Sequence, residues 1–142
     1  MLFRRTKWRA AAASGAVGRE GPTAARVDNQ AIVLWRDGTG RLAAFADLCV
    51  HMPLPLSTGR CEGGRLRCRY HGLEYDADGK VVGVYAQAIE DERRAKTYPA
   101  AEKHGLVWVW TGKPEDADAR TIPSRLRAAL QGLLARRPEG DV

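Results

Sequence analysis

The sequence predicts an all-β domain, an antiparallel β-sandwich or small barrel, on three observations. Strand-length apolar runs recur from Ala31 to Trp110, separated by Gly, Asp and Pro turn signals. In "LVWVW", Val107 and Val109 alternate with Trp108 and Trp110 at the two-residue period of a strand. A chain of 142 residues fits one domain with short extensions and can bury a real core.

Taken in order, the chain opens on a basic N-terminal arm, residues 1–26, with six basic residues and one acidic one. Arg4-Arg5 and the alanines after Trp8 raise the question of a twin-arginine export signal. Arg9 interrupts the stretch, and Ala10 to Gly18 is too short and too weakly hydrophobic for one, so a cytoplasmic start is expected. Next, "AIVLW" (Ala31–Trp35) is a strand, "RDGTG" its hairpin turn and "RLAAF" (Arg41–Phe45) the returning strand. A loop from Asp47 to Gly59 follows, stiffened by Pro53 and Pro55. "GRCEGGRLRC" is a hairpin turning at Gly63-Gly64, where positive φ costs little. "LEYDADGKVVGVY" bends at Asp78-Gly79, and "KTYPAAEKHGLVWVWTG" supplies two more strands with His104 at their bend. From residue 113 a polar linker leads to a short amphipathic C-terminal helix. It carries Leu126, Leu130, Leu133 and Leu134 on one face, Ser124 as N-cap and Pro138 as stop.

Charge and composition exclude several classes. The net +6 resides in the two ends, since residues 27–119 hold twelve basic and fourteen acidic residues. A nucleic-acid-binding module would carry its basic stripe on the folded core, so no nucleic-acid partner is expected. No run approaches the ~18–20 apolar residues of a membrane-spanning helix, so no membrane partner is expected either.

Three cysteines cannot close a disulfide framework, and two of them share loops with histidines. Cys61 reads as a small buried hydrophobe beside a strand. The other two give Cys49-x-His51, a gap of sixteen residues, then Cys68-x2-His71. Thiolate and imidazole suit zinc or iron–sulfur chemistry and serve magnesium or calcium poorly. A zinc finger of the Cys2His2 kind groups cysteines in one arm and histidines in the other. Here each loop contributes one of each. That division suits a Rieske-type [2Fe-2S] cluster, in which two cysteines hold one iron and two histidines the other. A structural zinc module stays as the alternative from another class.

These residues, with the stretches "LWRDGTGRLAAFADLCVHMPLPLSTGRCEGGRLRCRYHGLEYDADGKVV" and "YPAAEKHGLVWVWTG" and the opening "KWRAAAAS", resemble the Rieske domain of the Rieske non-haem iron oxygenases. The vanillate O-demethylase and phenylpropionate-dioxygenase-like groups are the most similar, over roughly residues 7–123. The resemblance implies a Rieske-type β-sandwich with a smaller cluster-binding subdomain over 27–112. It places Cys49 and Cys68 on one iron, and His51 and His71 on the other. It also implies a reductase or ferredoxin as electron donor and an oxygenase catalytic domain or subunit as acceptor. Val50 and Met52 depart from the family's frequent proline and arginine, and Arg69 stands where proline or glycine is usual. The cytochrome bc-type relatives carry an extra cysteine in each loop and a serine after the final His-Gly. Leu54, Tyr70 and Leu73 stand at the corresponding positions here, which implies the lower-potential class.

In the oxygenases a second domain holds iron through two histidines and a carboxylate. With His51 and His71 committed, only His104 remains, so no such site is expected in this chain and no catalytic residue is assigned. The expected activity is one-electron transfer, as the Rieske portion of an aromatic-ring-hydroxylating or O-demethylating oxygenase system. A free-standing Rieske ferredoxin is the alternative.

Overall fold

The computed structural model describes residues 6–18 and 20–123. Among them, four strands come first: β1 (Trp8–Ala13), β2 (Thr23–Val27), β3 (Gln30–Arg36) and β4 (Leu42–Ala46). The middle of the chain forms β5 (Arg60–Glu62), β6 (Arg65–Arg67), β7 (Leu73–Tyr75), β8 (Val81–Val84) and β9 (Gln87–Ala88). The last three are β10 (Thr97–Tyr98), β11 (Ala100–Lys103) and β12 (Leu106–Trp110). All strand pairs are antiparallel, in sheets ordered β1-β12-β11, β10-β4-β3-β2 and β5-β6-β7-β8-β9. The expected all-β antiparallel fold is what forms. The expected C-terminal helix, with Ser124 and its leucines, lies outside the described residues.

Strand β3 shows why the second sheet becomes the middle layer. Ile32 and Leu34 pack with Val27, Ala44, Val107 and Val109, joining this sheet to the β1-β12-β11 sheet. Val33 and Trp35 point the other way and pack with Phe45, Leu66, Tyr75 and Val81, joining it to the five-stranded sheet. "IVLW" is therefore continuously apolar because both faces of the strand are covered. Burying each such side chain contributes about 1.5–3 kcal/mol. A one-residue slip would exchange the two sets, so the register is held from both sides.

The period of "LVWVW" divides β12 in the same way. Val107 and Val109 face the middle layer, while Trp108 and Trp110 join Trp8, Leu106 and Ile122 in an outer cluster. Trp8 meets Trp110 edge-on, ring centroids 5.2 Å apart, and its indole N–H donates to the Asp118 carbonyl at 2.9 Å. The stretch read from its charge as an arm thus contributes β1 and β2. The beginning of the polar linker folds back to satisfy the Trp8 indole. Buried N–H groups need acceptors, and this one finds them more than a hundred positions along the chain.

The turns follow their sequence signals. Gly63 and Gly64 take φ of 62° and 77°, as a two-residue hairpin with right-handed strand twist requires. His104 and Gly105 do the same between β11 and β12, which places His104 at the expected bend and far from the other histidines in sequence. No helix among the described residues is long and apolar enough to cross a membrane.

Candidate metal centre

The first Cys/His loop leaves β4 at Asp47 and reaches β5 through Gly59. Its two ends are tied together by the Asp47 carboxylate, which accepts from the Ser57 amide at 2.7 Å and the Ser57 hydroxyl at 2.5 Å. Leu56 is fully buried beneath it and anchors the loop to the core. Inside the loop the Cys49 amide donates to the Leu54 carbonyl at 2.8 Å.

The second loop, between β6 and β7, is far shorter. The Cys68 amide donates to the Leu73 carbonyl, also at 2.8 Å, so both cysteines close onto a carbonyl five residues ahead. Gly72 takes a φ of 72° and lies under the ring of Tyr85, where any Cβ would overlap that ring. The Tyr85 amide donates to the Gly72 carbonyl at 2.9 Å, pinning the loop to the turn between β8 and β9. The two loops abut at Gly59, whose missing side chain leaves room for the Arg67 carbonyl just before Cys68.

This arrangement brings together the donors that the sequence singled out. One donor atom each from Cys49, His51 and Cys68 lies within 4.8 Å of the others. Cys49 Sγ is 2.8 Å from His51 Nδ1, and His51 Nε2 is 2.5 Å from His71 Nδ1. Both thiols are buried in the core between the middle and five-stranded sheets, His51 is half-buried and His71 is exposed. Soft sulfur donors thus sit inside and imidazoles at the rim. A metal group with an inner thiolate side and an outer imidazole side fits this donor set.

Burial pushes the Cys68 thiol up; the amides of Tyr70 and His71 pull it down, and the Cys49 thiol beside it adds to the rise. Its thiolate therefore needs a positive partner to persist in this core. Burial holds His51 below the ordinary imidazole range, and the nearby positive charges of His71 and Arg93 act in the same direction. A neutral imidazole is the form that binds metal. Cys61, on β5, packs against the same core but stands apart from the four donors, and burial pushes its thiol up.

Two residues at this site were not singled out in the sequence. Tyr75, fully buried, places its hydroxyl 3.3 Å from Cys49 Sγ and accepts from the Val50 amide at 2.9 Å. Burial pushes its phenol upward, so it stays protonated and can donate to sulfur. Glu74, 2% exposed, accepts from Arg67 at 2.7 Å and from the Ala86 amide at 3.0 Å. That second contact steadies the Tyr85-Ala86 turn, where neither residue is glycine yet φ is 46° and 69°. The alternation in "LEY" was the available signal for Tyr75: an in-pointing Tyr beside a cysteine loop needs a hydroxyl partner.

The family of the Rieske [2Fe-2S] domain matches residues 7–99. The vanillate O-demethylase oxygenase subunit of a Pseudomonas species is 40% identical over 95 residues, which are 67% of this chain and 29% of that protein. The iron-sulfur subunit of the toluene-4-sulfonate monooxygenase system of Comamonas testosteroni is 36% identical, over 85% of this chain and 35% of its own. The crystal structure of dicamba monooxygenase superposes with a TM-score of 0.74 at 33% identity, covering 88% of this chain and 40% of that one. The chain thus spans about a third of the length of the curated relatives it matches.

Proposed function

The chain belongs to the Rieske [2Fe-2S] domain family, and on that premise we propose that it moves single electrons through a cluster held by Cys49, Cys68, His51 and His71. The observation that carries the proposal is the sorting of donors by depth: both thiols in the core, one imidazole half-buried and the other in solvent. The cluster would supply a one-electron couple, with a potential raised by imidazoles in place of two thiolates.

The protein's own residues do the rest. Burial of Cys49 and Cys68 keeps water and oxidants from the sulfurs. The Tyr75 hydroxyl and the Tyr70 and His71 amides direct hydrogen bonds at them, stabilising added negative charge. The edge of His71 open to solvent is the place where an electron partner gains access, with Tyr70 stacked on its ring at 4.8 Å. By likeness to relatives that are oxygenase components, the electron donor is a reductase or ferredoxin. The acceptor is the catalytic domain or subunit of a ring-hydroxylating or O-demethylating oxygenase.

Anaerobic purification with iron and acid-labile sulfide assays, and EPR of the dithionite-reduced protein, tests this reading. Two irons, two sulfides and a rhombic reduced signal are expected. A colourless protein holding zinc would replace it with the structural zinc reading. His71→Cys should lower the potential or abolish the cluster; an unchanged spectrum and potential would remove His71 from the ligand set.

A further inference from the structure

Beside the second loop, Thr58, Gly59, Arg60, Arg67, Cys68, Arg69 and Tyr85 line an open groove of about 540 Å³. Three of these are arginines, in a stretch of chain whose balance is otherwise slightly acidic. Arg60 and Arg67 stand directly opposite each other across the β5–β6 pair. Like charges at such positions repel, so the pairing costs stability unless something neutralises it. Arg67 is neutralised, by Glu74 at 2.7 Å and Glu62 at 2.6 Å. Arg60 and Arg69 are exposed and make no ion pair among the described residues. Two unneutralised guanidinium groups therefore face one groove, directly over the buried Cys68.

The surroundings show what kind of anion fits. An apolar cleft lined by Leu54, Pro55, Arg69 and Tyr70 continues from the groove across the Cys68 loop. Tyr70, Tyr85 and Met52 are among the few large apolar side chains exposed in the described residues, and each lies on or against a donor loop. Exposed Tyr70 and Tyr85 in these clefts, with Arg60 and Arg69 beside them, make a protein-docking surface; a small free anion would have no use for the apolar part.

We propose that Arg60 and Arg69 form the cationic rim of a docking surface for a protein electron donor that presents carboxylates beside its redox centre. This rests on the electron-transfer reading above and names the chemistry of the partner at that site. Carboxylates entering the groove would neutralise Arg60 and Arg69 while bringing the donor against the Tyr70–His71 edge. Rim charges of this kind act mainly on the association rate and its salt dependence.

The test is stopped-flow bleaching of the cluster absorbance in the full chain by two reductants, an acidic [2Fe-2S] ferredoxin and the small cation reduced methyl viologen. Arg60→Glu/Arg69→Glu should slow reduction by ferredoxin about tenfold or more at low ionic strength. The gap should close near 1 M salt, where the screening length is about 3 Å. Reduction by viologen should not slow, the EPR signal should be unchanged, and Arg60→Lys/Arg69→Lys should keep most of the ferredoxin rate. Equal slowing with both reductants, no slowing with ferredoxin, or a wild-type protein that viologen bleaches and ferredoxin does not, would overturn the docking proposal. A wild-type protein bleached by neither overturns the electron-transfer reading itself.

Discussion

Between Asp47 and Gly59 the first loop uses thirteen residues to present one cysteine and one histidine, with two prolines, a buried Leu56 and the Asp47–Ser57 clasp holding its shape. The second loop presents the same pair within four residues, from Cys68 to His71. It relies on one left-handed glycine and on the Tyr85 turn, which in turn leans on the Glu74 carboxylate. The long loop carries its own fastening; the short one borrows its shape from neighbouring strands. Two cysteine thiols can therefore be presented at matching depth by unlike means, provided that each cysteine amide finds the same kind of carbonyl partner.

Substitutions can break that comparison at graded cost. Cys68→Ser has the largest expected effect: the cluster is lost from both loops, read as loss of bound iron and of the reduced EPR signal. Gly59→Ala comes next, because its Cβ would press on the Arg67 backbone, which cannot swing aside as a side chain can. Overpacking of this kind costs about 1–3 kcal/mol, and the upper end is expected in denaturant unfolding, together with reduced iron occupancy. Asp47→Ala removes the clasp of the first loop alone. Two hydrogen bonds to a carboxylate disappear, and a loss of about 2 kcal/mol is expected by the same measurement. Hydrogen exchange should rise at Ser57 while amides of the second loop stay protected. Tyr75→Phe has the smallest expected effect on stability and sharpens the comparison most. Its hydroxyl reaches Cys49 and not the other cysteine by any hydrogen bond among the described residues. If that bond favours the reduced state by about 1.4 kcal/mol, its removal lowers the one-electron potential by about 60 mV, measured by redox titration.

Much of this was legible in the residues. The strands β3, β4 and β12 follow from their apolar runs, and the hairpins from Gly63-Gly64 and His104-Gly105, two-residue turns with positive φ at both positions, and from Asp78-Gly79, where the glycine alone takes positive φ, because few residues supply it. The N-terminal strands were not legible. β1 is Trp-Arg followed by four alanines, and alanine is poor in strands; only pairing with β12 and the burial of Trp8 make it one. The roles of Tyr75 and Glu74 depend on partners 26 and 12 positions away, which no local pattern contains.

By itself the sequence determined the all-β class, the donor types and their division between two loops, since turn chemistry, strand period and metal-ligand softness are local properties. Tertiary structure decided the rest: that the loops meet at Gly59, that the thiols lie inside and His71 outside, and that Tyr75 faces Cys49. It also decided that Arg60 and Arg69 open onto one groove. The physical reason is that a strand's sequence fixes which side chains share a face, whereas only the stacking of the three sheets fixes which faces meet.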